Sequence, residues 1–320
     1  MANEVRTRAD TINALKKYST LILLIVMLLI NVIFTPNFFK IGTVWNIIIQ
    51  TCSIILTGMG MTIVISTGGI DISVGSVMAL SGIITGMLLE RIGILPAALA
   101  GVAACMISGA IAGFMIGKLK VQAMVVTLAL QMAVRGVAQL VNDGKIYYIS
   151  NANSEAFKQL GSAKLMGFIP VQVIPIVIAI AVTWFMLEKT VFGRHIQAVG
   201  DNRNSARLAG IGVEKTTMLA YVCSAIFAGV AGVFSAAKIG AADPNGLGNL
   251  AELDAIAAVA VGGTSMSGGR AKVLGTVVGA LIMQLINITV NMNNITYEYA
   301  QILKAIIIVL AVYVQTEKNS

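Results

Sequence analysis

Blocks of about 20 apolar residues recur along this chain, separated by short polar stretches, and that recurrence restricts the fold more than any other feature of the sequence. An α-helix rises about 1.5 Å per residue, so one such block covers the ~30 Å hydrocarbon core of a bilayer. Composition agrees. Of 320 residues, 57% are hydrophobic and 11% are charged, against roughly 25% charged in a typical soluble domain. A mean hydropathy of +0.88 leaves too little polar surface to cover a water-soluble globule of this size. The expected fold class is all-α integral membrane, with many crossings.

Ten apolar segments can be drawn, at 18–34, 44–67, 73–89, 94–116, 121–141, 171–187, 217–237, 253–261, 273–290 and 299–314. The eighth is too short to span unless 262–267 continue it, and a glycine-interrupted segment is the sequence form of a broken membrane helix. Residues 1–17 are polar, carry Arg6, Arg8, Lys16 and Lys17, and run into the first apolar segment as a secretory signal would. No small-residue cleavage site follows; the chain continues into Phe34-Thr35-Pro36-Asn37-Phe38-Phe39, so this reads as an uncleaved first span. With the N-terminus in the cytoplasm and sides alternating, fourteen of the 22 Lys and Arg residues fall in cytoplasmic segments and six in external ones; Arg135 and Lys304 lie within spans. Basic residues concentrate on the cytoplasmic side of membranes, so the bias supports ten spans with both ends inside. The expected organisation is a cytoplasmic tail at 1–17, a polytopic domain at 18–314 and a cytoplasmic tail at 315–320. The net charge of +8 is accounted for by this placement and does not point to nucleic acid.

Two loops stand out by length. The external stretch 142–170 has room for a short surface helix, and the cytoplasmic stretch 188–216 is the most charged part of the chain. Within the latter, Asp201-Asn202-Arg203-Asn204-Ser205-Ala206-Arg207-Leu208-Ala209-Gly210 reads as a short capped helix. Asp201 or Asn202 can accept the free N–H groups at its start, and Gly210 can take the left-handed position after its end. Many of the 32 glycines stand at short helical spacing, as in Gly101, Gly109, Gly113 and Gly117, at multiples of four, or Gly229 and Gly232, three apart. Small residues let helix backbones approach closely in lipid, which implies a tight bundle.

Other residues mark possible sites. Ser66-Thr67-Gly68-Gly69-Ile70-Asp71-Ile72-Ser73-Val74-Gly75 interrupts an otherwise apolar stretch and predicts a broken helix near 66–73. Asp71 or Ser73 either caps the third helix or faces a solute or gate, since an acid at membrane depth is costly unless capped, paired or hydrated. A similar string recurs at Gly262-Gly263-Thr264-Ser265-Met266-Ser267-Gly268-Gly269, with Gly68, Gly69, Ser73 and Gly75 aligning to Gly262, Gly263, Ser267 and Gly269. Paired broken helices are where transporters place their binding sites. Glu252 and Asp254 open the eighth segment, where they either favour the helix dipole or line a solute route, hydrogen-bonding sugar hydroxyls. Arg135 and Lys304 require partners or water within the membrane, and Glu298 is one candidate, though helical spacing does not set it beside Lys304. Gln50, Gln131, Gln284, Asn287 and Asn291 are neutral polar residues inside spans, the last three on one face of the ninth. Such a stripe suits a neutral polar solute or interhelical hydrogen bonds equally.

Catalytic signals are missing. Gly113-Phe114-Met115-Ile116-Gly117-Lys118-Leu119 ends like a phosphate-binding loop but lacks the first glycine at the right spacing and the final Ser or Thr, so ATP hydrolysis is not expected of this chain. HExxH and GxSxG are missing too. Cys52, Cys105 and Cys223 lie in apolar segments without a CxxC pair, and the single His195 cannot build a His-rich metal site. Neither a catalytic residue nor a metal site is expected.

Four spaced motifs carry a family resemblance: Thr67 to Gly75, Gly193 to Gly200 with Ala206 to Gly210, Glu252 to Ala258 with Gly262-Gly263-Thr264-Ser265, and Thr35 to Phe39. Together the chain resembles, from about residue 20 to 315, the ribose-permease-type membrane subunits of ATP-binding-cassette importers, in the branched-chain amino acid and monosaccharide permease superfamily. The resemblance implies a multi-pass protein of the bacterial inner membrane with a fold of the vitamin-B12-importer type. It implies a second permease copy, identical or a sister chain, on a tandem-domain ATPase that binds ATP and Mg. It also implies a periplasmic or lipid-anchored sugar-binding protein. The solute implied is ribose or a similar sugar; relatives in this superfamily also carry nucleosides or the autoinducer-2 signal. The loop between spans six and seven, with Asp201, Asn202, Arg203, Ser205, Arg207, Leu208 and Gly210, would dock on the ATPase. The competing reading is an ion-coupled secondary transporter, with Asp71 as its coupling carboxylate.

Overall fold

The computed structural model describes residues 20–150 and 153–316; the basic N-terminal tail and the last residues, with Lys318, lie outside them. Thirteen helices occur among the described residues: α1 (Thr20–Phe34), α2 (Ile41–Ser66), α3 (Val74–Ile92), α4 (Ile94–Gly117), α5 (Ala123–Leu140), α6 (Ser154–Ser162), α7 (Val173–Lys189), α8 (Val191–Asp201), α9 (Arg203–Leu208), α10 (Val213–Ile239), α11 (Ala251–Val261), α12 (Val273–Met292) and α13 (Tyr297–Thr316). Each of the ten apolar segments forms a helix. Six helices (α2, α3, α4, α5, α10 and α12) are long and apolar enough to cross a membrane, and α7 with α8 makes a seventh if that pair, bent by 73°, is one span. At 11 residues, α11 is ~16 Å long and cannot cross alone.

The 142–170 stretch does hold the expected short helix, α6, whose Phe157 is fully buried. It also holds more. Strand β1 (Tyr147–Tyr148) pairs antiparallel with β4 (Ala241–Ala242), and β2 (Lys164–Leu165) with β3 (Ile169–Pro170). The 188–216 stretch differs further from expectation. A first helix, α8, precedes the short one, so Asp201 ends α8 and only Asn202 separates the two. The amphipathic α8 buries Gly193, Ile196 and Val199 and leaves its charged face out, which is why the stretch reads as a polar loop in sequence.

The bundle is organised around α2 and α10. From Thr51 to Ser66 nearly every residue of α2 is buried, as a helix apolar all round should be at the centre. Its hydroxyls are satisfied locally: Thr51, Thr57, Thr62 and Ser66 donate to the carbonyls of Ile47, Ser53, Gly58 and Thr62, the i−4 bonding that lets Ser and Thr sit in an apolar helix. Thr62 also meets Thr276 of α12 at 2.8 Å, and Thr289 of α12 donates to Asn31 of α1 at 2.8 Å. The glycine ladder of α4 faces α10: a Cβ on Gly109, Gly113 or Gly117 would run into the backbone at Tyr221, Met218 or Glu214. Leu95, Leu99, Ile107 and Phe114 of α4 stay exposed.

This packing predicts a sharp contrast between two glycines. Gly113→Val forces α4 off α10 and should cost about 1–3 kcal/mol, lowering the unfolding temperature in detergent by several degrees. Gly136 in α5 has open space around its Cα, so Gly136→Ala should be neutral or stabilise by up to about 1 kcal/mol. Equal effects in thermal scans would contradict the close α4–α10 contact.

Candidate functional site

At the end of the bundle where α10 finishes, a cavity of about 280 Å³ opens between α2, α10, α11 and α12. Its size sits just under the roughly 300–1,000 Å³ of pockets for drug-sized ligands, so it suits a small solute. The polar lining comprises Gln50, Ser53 and Thr57 of α2, Gln172 just before α7, Ser235 and Lys238 of α10, Asn249, Asp254 of α11, and Gln284 and Asn287 of α12. Gln284 Nε2 donates to Gln50 Oε1 at 2.9 Å, bridging α12 to α2. Gln172 donates to the Leu160 carbonyl, but its Oε1, like Oδ1 of Asn287, is a buried acceptor with no hydrogen-bond partner among the described residues. An acceptor left so is costly, and a hydroxyl-bearing solute in this cavity offers the missing donors.

Of nine residues expected along a solute route, the cavity gathers Gln50, Asp254, Gln284 and Asn287. Asp254 also answers the question of Lys304, whose Nζ lies 2.6 Å from Asp254 Oδ1. Gln131 donates to Glu252 Oε1 at 3.0 Å, away from the cavity lining. Asn291 is exposed at the end of α12. Ser53, Gln172, Ser235, Lys238 and Asn249 went unremarked in the sequence. Gln172 and Lys238 stand at the edges of apolar segments, where polar residues are ordinary, and carried no signal.

Asp71 and Ser73 belong to a second feature, at the far end of α2. Ser73 occupies the N-cap of α3 but makes no side-chain cap bond, and Asp71 does not cap either. Asp71 Oδ1 accepts from the Ser73 amide (3.0 Å) and hydroxyl (2.6 Å), and Oδ2 accepts from Ser224 of α10 at 2.8 Å. The carboxylate thus closes the turn and ties it to α10. The carbonyl of Ile70, freed by the break, accepts from the Tyr221 hydroxyl at 3.3 Å.

The two Gly-Gly strings are structural equivalents, shifted by one residue from the alignment their spacing suggests. Helix α2 ends with Gly68 N–H on Ile65 O and Gly69 N–H on Val64 O; α11 ends with Gly263 N–H on Ala260 O and Thr264 N–H on Val259 O. This is the Schellman pattern, which needs a left-handed residue after the helix. Gly68 (φ 77°) and Gly263 (φ 83°) supply it, so Gly68 matches Gly263 and not Gly262. The two breaks also touch: Gly269 N–H donates to Ser66 O at 3.0 Å.

The charged α8–α9 pair is seated on that junction. A Cβ at Gly200 would collide with the Ser66 carbonyl and the Gly269 amide, and one at Gly269 with the Asp201 carboxylate. Beyond this seat α9 projects outward. Asn202 Oδ1 caps it, accepting from Asn204 N–H (3.0 Å) and Ser205 N–H (2.9 Å), and Gly210 (φ 80°) closes it. Arg207 pairs with Glu214 at 2.8 Å. Ala206 anchors the helix against Val199 and Val213, while Arg203 and Ser205 are exposed and Leu208 is 90% exposed at the tip.

Gly200→Ala should leave the helices formed but separate the three backbones. Amide hydrogen exchange at Gly268 and Gly269 should then accelerate by about tenfold or more, ~1.4 kcal/mol of local opening. Gly212→Ala, with nothing closer than 3.9 Å, is the control; exchange unchanged by Gly200→Ala would refute the seat.

Comparison with known proteins establishes the family. Residues 43–312 match the family model described as branched-chain amino acid transport system / permease component. The chain is 37% identical over 310 residues to the ribose import permease protein of Escherichia coli (strain K12), covering 95% of each chain. It is 37% identical over 307 residues to the galactofuranose transporter permease protein of the same strain, covering 93% of this chain and 89% of that one. It is 33% identical over 298 residues to the ribose import permease protein of Bacillus subtilis (strain 168), covering 93% and 92%. No solved structure matches. The protein is a multi-pass membrane protein that belongs to the branched-chain amino acid transport system / permease component family.

Proposed function

We propose that this chain is the membrane-spanning permease subunit of an ATP-driven importer, passing a monosaccharide such as ribose or a similar pentose or hexose into the cytoplasm. One observation carries the reading. A small polar cavity with unpartnered hydrogen-bond acceptors lies at one end of α10, and an exposed, capped helix sits at the other, about 40 Å away for a 27-residue helix. Solute reception and energy input are thereby separated along one helix. In the orientation favoured by the basic residues, with about ten crossings and a fold of the vitamin-B12-importer type, the cavity faces outward and α9 inward.

A sugar-binding protein then delivers solute to the cavity, two permease copies sit side by side, and a tandem ATPase, which holds ATP and Mg, docks on α9. Leu208 is the anchor best suited to an apolar pocket on that partner, because a 90% exposed leucine gains most from being covered. The permease needs two packings of similar energy, and ATP binding and hydrolysis bias one against the other. Asp71, which an ion-coupled carrier would need free, has both oxygens engaged by Ser73 and Ser224.

Two substitutions separate the halves of this proposal. Leu208→Asp touches no packed residue and should cut co-purification of the ATPase by about tenfold, ~1.4 kcal/mol, with membrane insertion unchanged. Asn287→Leu should leave that assembly intact and reduce sugar uptake in proteoliposomes several-fold. Full ATPase recovery with Leu208→Asp would remove α9 as the docking element, and normal uptake with Asn287→Leu would remove the cavity from the solute route.

A further inference from the structure

Helix α5 carries a polar ladder that the transport reading leaves without a role. Gln131, Arg135 and Gln139 stand four residues apart on one face, and all three reach a single remote segment, 243–252. Gln139 Nε2 donates to Asn245 Oδ1 at 2.8 Å. Arg135 Nη1 donates to the carbonyls of Pro244 (3.0 Å) and Leu247 (2.7 Å). Gln131 Nε2 donates to Glu252 Oε1 at 3.0 Å. Gly246, Leu247, Gly248 and Asn249 of that segment wall the polar cavity.

The segment is a run of turns, with Asn245 N–H on Asp243 Oδ1, Leu247 N–H on Asp243 O and Asn249 N–H on Gly246 O. Its Gly248 packs against the main chain of Gly75 in α3. Turns fix local shape, and the outer part of the segment is tied to the bundle through side chains. Apart from the start of α11 it contains no helix or strand, and its backbone passes through left-handed residues at Gly248 (φ 71°) and Leu250 (φ 59°). A branched residue such as Leu250 adopts that conformation only where surrounding contacts impose it. Its other polar attachment, Asn245 Nδ2 to the Gly144 carbonyl at 2.8 Å, is at the edge. The central attachment is Arg135. An arginine inside a membrane segment is costly, and here one nitrogen of the cation, Nη1, holds two main-chain carbonyls through its two N–H donors, whose directions the planar guanidinium fixes.

We infer that Arg135 is a positioning residue for solute admission: it holds the 243–250 wall of the cavity in place from α5, and so sets the width of the opening. The inference rests on reading the cavity as the solute route. It makes the mouth of the cavity depend on a helix that contributes no lining residue to it.

The test uses the permease reconstituted with its ATPase and binding protein, with Cys52, Cys105 and Cys223 replaced by alanine. Arg135→Gln should reduce sugar uptake by about tenfold, while ATPase co-purification and thermal stability stay at the parent level. Arg135→Lys, which keeps one charged donor, should recover part of the loss. Wall position is read separately from the thiol introduced by Leu247→Cys. Leu247 is 4% exposed, and a small thiol reagent should label that thiol several-fold faster once Arg135→Gln is added. Joining cysteines introduced by Gln139→Cys and Asn245→Cys with a short bifunctional thiol reagent should restore slow labelling and uptake in the Arg135→Gln protein. Unchanged labelling with Arg135→Gln overturns the inference, as does a Lys variant no better than Gln. Because labelling requires no solute movement, a parent complex that carries no sugar defeats the transport reading and leaves the positioning of the wall decided by the labelling rates.

Discussion

Helices immersed in hydrocarbon gain nothing by hiding apolar side chains from one another, because lipid tails are as apolar as leucine. What remains to hold them together is dispersion at close range and a few hydrogen bonds, and both grow only if backbones approach. The contact of α4 with α10 through Gly109, Gly113 and Gly117 is the clearest case. The same economy recurs where Gly60 of α2 meets Ser224 and where Gly232 meets Met78 of α3. With α10 gripped by three neighbours at main-chain distance, both of its ends become fixed reference points, one for the polar cavity and one for the α8–α9 pair.

Polar groups are then used sparingly and in pairs. Gln50 with Gln284, Lys304 with Asp254 and Asp71 with Ser73 and Ser224 each join segments distant in sequence or close a break in the helix. Each is satisfied, as groups at this depth must be. Five buried side-chain atoms lack a partner among the described residues. Gln172 Oε1 and Asn287 Oδ1 belong to residues that line the cavity, where a passing solute can complete them, while Thr183 Oγ1, Thr217 Oγ1 and Glu252 Oε2 belong to residues outside its lining.

The helices were legible because 20 apolar residues in a row have few other fates, and the breaks because Gly-Gly beside Asp or Thr interrupts such a row. The one-residue shift between the two strings was not legible. Either glycine of a Gly-Gly pair can take the left-handed position, and only the main-chain hydrogen bonds identify Gly68 and Gly263. Asp254 read as a dipole or solute residue because its partner lies 50 positions later, at Lys304. The cavity wall was invisible: Asp243-Pro244-Asn245-Gly246 reads as a turn, and nothing in those letters reveals that α5 reaches across to hold it. Asn202 and Gly210, by contrast, did what local rules require, since capping depends on neighbours within a few residues.

Ser66, Gly200 and Gly269 meet main chain to main chain, and the Asp201 carboxylate packs against Gly269 beside that contact. A contact between side chains has rotamers, and a push on one partner can be absorbed by a turn about χ1. Main chain has no such freedom: Gly269 N–H is bonded to Ser66 O, and Gly200 lies against both at backbone distance. The fold has therefore placed its least compliant material between the exposed helix pair and the two breaks.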